Sequence, residues 1–221
     1  MSRLRLGVLV SGSGTNLQAI LDAVADGRLN AEVRVVVSNR PGVYALERAR
    51  RAGVPTVVIS HRDYADRATF EGALIETLAR TGAEWIALAG FMRILTGRFL
   101  SAFPDRVVNI HPALLPAFPG VHAQRQALAY GSKWSGCTVH FVDEGTDSGP
   151  IIAQAVVPVL DGDDEETLTR RILAQEHRLY PRALQLLAEG RVERAGRRVF
   201  VRGAAVPADA ALMNPPWGES V

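Results

Sequence analysis

Asn109 and His111 stand two residues apart behind Arg106-Val107-Val108, a β-branched approach that reads as a strand. Alternate residues of a strand share a face, so both side chains can look into one cavity while Ile110 looks into the core. An amide beside an imidazole suits a carbonyl that becomes an oxyanion, one group holding charge and the other moving a proton. A turn-forming asparagine and a satisfied core histidine have the same spacing. Pro112, Pro116 and Pro119 follow within eight residues, which rules out ladder or helix and predicts an irregular loop of restricted backbone freedom. The acidic, glycine-bounded stretch Asp143-Glu144-Gly145-Thr146-Asp147-Ser148-Gly149-Pro150 lies between two strand patterns, 134–142 and 151–159. A hairpin there brings Asp147 to the sheet edge. A carboxylate beside His111 would favour the imidazolium and raise its pKa, as a general acid requires; an ordinary turn aspartate is the competing reading.

These groups need a scaffold, and the chain supplies one. Residues 4–10 read as a buried strand that runs into Ser11-Gly12-Ser13-Gly14-Thr15-Asn16, after which Leu17, Ile20, Leu21 and Val24 recur at helical spacing. Glycines allow close backbone approach, and free amides at a helix start favour an anion, most often phosphate. Ser11, Ser13, Thr15 and Asn16 add neutral donors. The loop lacks the Lys-Ser/Thr of a Walker motif, and Leu17 replaces the third glycine of a dinucleotide fingerprint, so a mononucleotide-sized phosphate fits best. A helix cap with nothing bound is the alternative. Arg40, after the second strand, could meet an NADP 2′-phosphate.

Strands at 32–37, 54–59 and 84–90 alternate with helices at 44–52, 63–80 and 96–102, and a helix at 122–130 follows the proline loop. Successive strand–helix units of this length imply an α/β fold with a doubly wound, mostly parallel twisted sheet. The antiparallel strands at 134–142 and 151–159 extend it, and a long C-terminal helix at about 165–188 closes it. Ligands in such sheets bind beyond the carboxyl ends of the strands. The glycine loop, the apolar loop Phe91-Met92-Arg93-Ile94-Leu95 and the His111 loop all leave strands at that edge. Met92, Ile94 and Leu95 would wall a flat ligand or pack the core, and Arg93 could serve a carboxylate. On the last helix Glu176 falls between apolar positions and could bind an amine or hydroxyls. Arg67 lies off the apolar stripe of its helix and reads from spacing as a solvated charge.

Composition narrows the class. In 221 residues, 48% are hydrophobic and the net charge is +2, which suits one compact domain and gives no field for a nucleic-acid partner. Arg191, Arg194, Arg197, Arg198 and Arg202 crowd one stretch, read as a solvated surface hairpin. Cys137 is the lone cysteine, in a setting that looks like a buried strand, which points to a reducing compartment and a cytoplasmic protein. No apolar run has bilayer length, so no membrane partner is expected. No His, Cys and carboxylate set has metal-ligand spacing, so no metal is expected. Residues 1–203 are expected to form a single domain, and the Ala-, Pro- and Gly-rich 204–221 a poorly ordered tail.

Four motifs in order, Ser11-Gly-Ser-Gly-Thr-Asn16-Leu-Gln18, Ala89-Gly-Phe-Met-Arg-Ile-Leu95, Asn109-Ile-His-Pro-Ala-Leu-Leu-Pro116, and Thr138-Val-His-Phe-Val-Asp143 with Asp147-Ser-Gly-Pro150, make the chain resemble the glycinamide ribonucleotide formyltransferases of purine biosynthesis over residues 3–202. The resemblance implies a Rossmann-like formyltransferase fold. It also implies transfer of a formyl group from the co-substrate 10-formyltetrahydrofolate to the amine of glycinamide ribonucleotide, by a monomer or homodimer. Residues 1–105 would then be the ribonucleotide half and 106–203 the folate-binding and catalytic half. By the same resemblance Asn109, His111 and Asp147 are the catalytic trio. Gly12, Ser13, Gly14, Thr15 and Asn16 hold the ribonucleotide phosphate, with Glu176 its acidic contact and Leu173 offering only apolar or backbone contact. Arg67, Met92, Arg93, Ile94, Leu95, Asn109 and the run Asp143, Glu144, Gly145, Thr146, Asp147 meet the folate. In that mechanism protonated His111 and the Asn109 amide stabilise the oxyanion while Asp147 keeps His111 charged.

Other readings stay open. Methionyl-tRNA formyltransferases are similar around Asn109, His111 and Asp147 but carry a further C-terminal RNA-binding domain. Formyltetrahydrofolate deformylases are similar too, with water in place of the amine and normally an added N-terminal regulatory domain. An NADP-dependent reductase would use the glycine loop and Arg40, and a non-catalytic nucleotide-binding module the loop alone; both leave Asn109, His111 and Asp147 unexplained.

Overall fold

The computed structural model describes residues 3–204 and residue 212, so the tail expected at 204–221 lies almost wholly outside the described residues. A seven-stranded sheet forms the body. In chain order it comprises β1 (Leu4–Val10), β2 (Ala31–Ser38), β3 (Thr56–Val58), β4 (Trp85–Leu88), β5 (Val107–His111), β6 (Trp134–Phe141) and β7 (Ile151–Pro158), in the spatial order β3-β2-β1-β4-β5-β6-β7. The first five are parallel, and β6 and β7 are antiparallel. The helices are α1 (Thr15–Ala25), α2 (Tyr44–Arg51), α3 (Arg67–Arg80), α4 (Gly97–Ala102), α5 (Ala123–Tyr130) and α6 (Glu165–Ala188). The helix expected at 63–80 starts later: a 3-10 turn at His61–Asp63 precedes it, and the Asp66 carboxylate caps α3 by accepting from the Thr69 amide at 2.8 Å.

Both sheet faces are covered, which is why the strands read as nearly unbroken apolar runs. Alternate residues enter two separate cores: Leu6, Val8 and Val10 of β1 pack with Leu17, Ile20, Leu168 and Tyr180, whereas Leu9 packs with Leu74, Leu78 and Phe99. Strand order reverses direction between β1 and β4, so the loops after them diverge and leave a crevice at the carboxyl edge, where such sheets bind ligands. Ser11 pins that edge. Its hydroxyl donates to Asn39 Oδ1 at 2.5 Å and accepts from the Met92 amide at 2.8 Å, tying together the loops after β1, β2 and β4. The expectation that Ser11 donates to a ligand is thereby corrected, because its proton is already used inside the protein.

Helix α6 is fastened across the centre of the sheet. The Tyr180 ring is fully buried and its hydroxyl shares one proton between the carbonyls of Leu88 at 3.0 Å and Val108 at 3.1 Å, on adjacent strands β4 and β5. Burial drives its pKa far upward, so it stays a donor. Tyr180→Phe is expected to cost about 1–2 kcal/mol in urea unfolding, because both carbonyls lose that proton and water cannot replace it. Two strands, β8 (Val192–Ala195) and β9 (Arg198–Val201), form the expected C-terminal hairpin.

Candidate active site

The glycine loop ends in Gly14, which caps α1 in the left-handed region at φ 74°. A Cβ there would lie 2.6 Å from Ala45 Cβ and 2.8 Å from Ala45 Cα, so both conformation and space demand glycine. No side chain caps α1. Its first amides therefore face outward with the positive end of the helix dipole, the arrangement that receives phosphate. Arg48 supports the loop from α2, its Nε donating to the Ser13 carbonyl at 2.9 Å. Beside Thr15 a groove of about 330 Å³ runs along α1 past Gln18 and Asp22, flanked by Arg28, Arg48 and His177.

Asn16 joins this loop to α6. Its amide donates to Glu176 Oε2 at 2.8 Å, and its own Oδ1 is buried without a hydrogen-bond partner among the described residues. Glu176 is itself buried; desolvation lifts its carboxyl above the usual range, against the Asn16 bond. A buried acceptor and a buried carboxyl side by side suit a ligand rich in hydroxyl or amine donors. Leu173, three residues earlier, is half-buried.

At the neighbouring strand ends the trio comes together. His111, 4% exposed, faces Asp147 with Nδ1 3.2 Å from Oδ2, and the Gly120 amide donates to the same oxygen at 2.8 Å. Asp147 adopts φ 50°, a left-handed conformation uncommon for a residue with a side chain. The Asn109 Nδ2 lies 3.2 Å from His140 Nε2 and 3.4 Å from Asp147 Oδ1. His140 Nδ1 faces the Phe141 carbonyl at 2.8 Å, which places its proton there and leaves Nε2 to accept from Asn109. The expected free Asn109 donor is thus engaged within the protein. The longer bond, to Asp147, is the one a developing oxyanion could take over.

His140 was not singled out from sequence, although a signal existed. Thr138 and His140 are polar residues at alternate positions of an apolar strand, and they pair in register with His111 and Asn109. Thr138 fastens the proline loop: its hydroxyl donates to the Ala113 carbonyl at 2.7 Å and accepts from the Leu115 amide at 3.1 Å. Glu71 was missed as well; fully buried on α3, it accepts from the Thr96 amide at 2.9 Å and holds the start of α4.

The expected upward shift of the His111 pKa is corrected. Burial pushes its pKa below the ordinary 6.5, outweighing the upward pull of Asp147 and of the Phe118 carbonyl. Its Nε2 sits 2.8 Å from the Phe118 carbonyl oxygen, a contact that a substrate must displace. Burial also works against the Asp147 carboxylate, but the nearby His140 ring, the Gly120 amide bond and the nearby His111 ring more than offset it, and its pKa falls.

The remaining expected positions divide. Met92 and Ile94 expose 59% and 54% of their surface at the sheet edge, as a wall for a flat ligand would, whereas Leu95 is core and Arg93 half-buried. Glu144 lies over Gly97 at the start of α4, close enough that a Cβ on Gly97 would be 2.6 Å from its Oε1. Asp143 is used inside its own loop, accepting from Ser148 Oγ at 2.6 Å and from the Gly145 amide at 3.2 Å. Gly145 and Thr146 are exposed. Arg67 stands exposed at the first turn of α3, apart from the hydrogen-bonded trio. Among the described residues no three His, Cys, Asp or Glu side chains gather as a metal set, and no helix is long and apolar enough to cross a membrane.

A mostly parallel sheet with an uncapped glycine loop and a polar trio at one edge defines a class, and a family model described as formyl transferase matches residues 4–184. The phosphoribosylglycinamide formyltransferase of Escherichia coli strain K12 is 41% identical over 204 residues, covering 92% of this chain and 96% of that protein. The chain belongs to the phosphoribosylglycinamide formyltransferase family. The glycinamide ribonucleotide transformylase 1 structure from Symbiobacterium toebii superposes with a TM-score of 0.89 at 57% identity, over 90% of this chain and 94% of that one. The trifunctional purine biosynthetic protein adenosine-3 of Drosophila pseudoobscura pseudoobscura is 54% identical, over 87% of this chain; the chain spans 14% of that protein's length. A formyltetrahydrofolate deformylase from Pseudomonas syringae shares the fold at TM-score 0.84 with 26% identity.

Proposed function

We propose that the chain transfers the formyl group of 10-formyltetrahydrofolate to the amine of glycinamide ribonucleotide, giving the formylated ribonucleotide and tetrahydrofolate. The observation that carries this reading is the linkage made by α6. Glu176 bonds Asn16 at the phosphate loop, and Tyr180, one turn on, bonds Leu88 at the end of β4, before the apolar wall, and Val108 on β5, the strand of Asn109 and His111. A phosphorylated, hydroxyl-bearing acceptor and a flat formyl donor thus have adjoining places. The named relatives and the weaker identity to the deformylase support an amine rather than water as acceptor.

The chemistry follows from the geometry. The ribonucleotide amine attacks the formyl carbon, and the carbonyl becomes an oxyanion that takes over an Asn109 N–H. Neutral His111 accepts the proton lost by the attacking amine, and Asp147 stabilises the imidazolium so formed. Collapse of the tetrahedral intermediate re-forms the carbonyl, breaks the bond to N10 and returns the proton from His111 to that nitrogen. His140 orients the Asn109 amide. Residues 1–105 supply the phosphate loop and residues 106–203 the proton-transfer groups, within one domain. A single buried thiol suits work in the reducing cytoplasm.

The test is an absorbance assay of folate conversion with and without glycinamide ribonucleotide. Conversion that requires the ribonucleotide is expected. Conversion at the same rate without it would reassign the site to hydrolysis, and consumption of reduced NADP with no folate turnover would reassign it to a reductase.

A further inference from the structure

We propose that the arginine-rich C-terminal hairpin positions the catalytic loop, with Arg197 the positioning residue; this rests on the formyl-transfer reading above. In sequence the segment looks like solvated charge. In the fold its turn reaches the site loop: Arg197 Nη1 donates to the Ser148 carbonyl at 2.6 Å, across 49 residues of chain. Arg194 pairs with Asp105, which stands two residues before β5 and is itself left-handed at φ 55°. The hairpin also packs against β7 through β9. Two arginines of one hairpin, Arg194 on β8 and Arg197 in the turn, therefore grip the two segments that deliver the trio, the approach to β5 and the loop that carries Asp147.

The Ser148 carbonyl matters because of the residue before it. Asp147 at φ 50° holds an unfavourable backbone conformation, which persists only where its surroundings over-determine it. The loop closes on itself on one side through Ser148 Oγ and Asp143. On the next residue there is no slack: a Cβ at Gly149 would lie 1.7 Å from the Phe141 carbonyl oxygen. Arg197 supplies the outer hold, a charge-assisted bond on the Ser148–Gly149 peptide, the second peptide after Asp147. Without it the Ser148–Gly149 peptide can rotate and relax the backbone at Ser148 and Asp147, and the carboxylate leaves its place between His111, His140 and Gly120. A shift of about 1 Å in such a group costs on the order of a hundredfold in rate when fully realised; a loop still held on one side should lose less.

The experiment compares Arg197→Ala, Arg197→Lys, Arg197→Met and Arg198→Ala in the intact protein. Arg198 sits on the same hairpin, its guanidinium 5.0 Å from the Phe200 ring centre, and serves as the control. Arg197→Ala is expected to lower kcat about tenfold and raise KM for the formyl folate, with KM for the ribonucleotide and the melting temperature unchanged. Arg197→Lys, which keeps a donor, should recover most of the loss; Arg197→Met, which keeps only the stem, should not; and Arg198→Ala should match the parent. Hydrogen exchange of the 143–149 amides, read without substrate, should quicken in Arg197→Ala and Arg197→Met alone. That arm stands even if the acceptor is not the ribonucleotide. Unchanged loop exchange, equal turnover for Lys and Met, or losses that only follow a lowered melting temperature would each overturn the proposal. If Arg197→Ala does not fold, the Lys and Met comparison decides it.

Discussion

His111→Ala is expected to fold, bind the ribonucleotide and turn over at least about a hundredfold more slowly, within the range that proton transfer by a positioned side chain commonly contributes. The imidazole is the group placed between a carboxylate and the mouth of the proline loop, and alanine leaves no side chain there able to move a proton. Binding should survive because the phosphate loop and Glu176 belong to other elements, α1 and α6. Folding should survive at a cost of about 1–3 kcal/mol, since the imidazole is lost from beside Asp147 and the Phe118 carbonyl while Asp147 keeps the Gly120 and Asn109 amides. Single-turnover rates beside a thermal melt separate the two effects. Near-normal transfer by the folded variant would remove His111 from the mechanism. Because His111 and Asp147 act as a unit, adding Asp147→Asn to His111→Ala should cost little more.

The pH dependence carries a sign that the two candidate roles share no further than their names. Burial holds His111 below 6.5, so a base that must be neutral loses activity only as pH falls through that depressed value. The acid limb of kcat/KM should therefore lie below 6.5, with turnover level above it. Asp147→Asn removes the carboxylate that pulls the His111 pKa upward, so the limb should move lower still while the rate falls. An acid limb above 6.5 would restore the imidazolium as the resting form.

Gly14→Ala should raise KM for the ribonucleotide about a hundredfold and leave KM for the folate close to its parent value. The left-handed conformation costs a residue with a Cβ about 1–2 kcal/mol. The larger effect is steric, because the new methyl would overlap the backbone of Ala45, which the Ala45 amide holds to the Gly12 carbonyl at 3.2 Å. The loop has to move, and the amides that start α1 move with it. Losing one or two bonds to a charged phosphate, at about 1.5–3 kcal/mol each, accounts for the expected change. Gly12→Ala is the matched control: nothing lies within 4 Å of its Cβ position, so a small effect is expected. Equal kinetics for the two variants would show that the phosphate is held elsewhere.

What the chain declares locally it declares well. Leu17, Ile20 and Leu21 at helical spacing after a glycine turn became α1, and the acidic cap with its long apolar stripe became α6 over Glu165–Ala188, the range expected. Asn109 and His111 at alternate positions share a face because a strand has a period of two wherever it lies. The four motifs located the candidate site residues before any contact was known. Tertiary structure decided what depends on the company each residue keeps. The apolar runs did not reveal which alternate residues enter which core, since both faces are buried. Ser11 proved to be a clasp between loops, Asn109 spends its donors on His140 and Asp147, and Arg197 of the last hairpin reaches the loop that carries Asp147. Even the sign of the His111 shift was not local: the carboxylate that would raise it is visible in sequence, but the desolvation that outweighs it exists only once the surrounding core has closed.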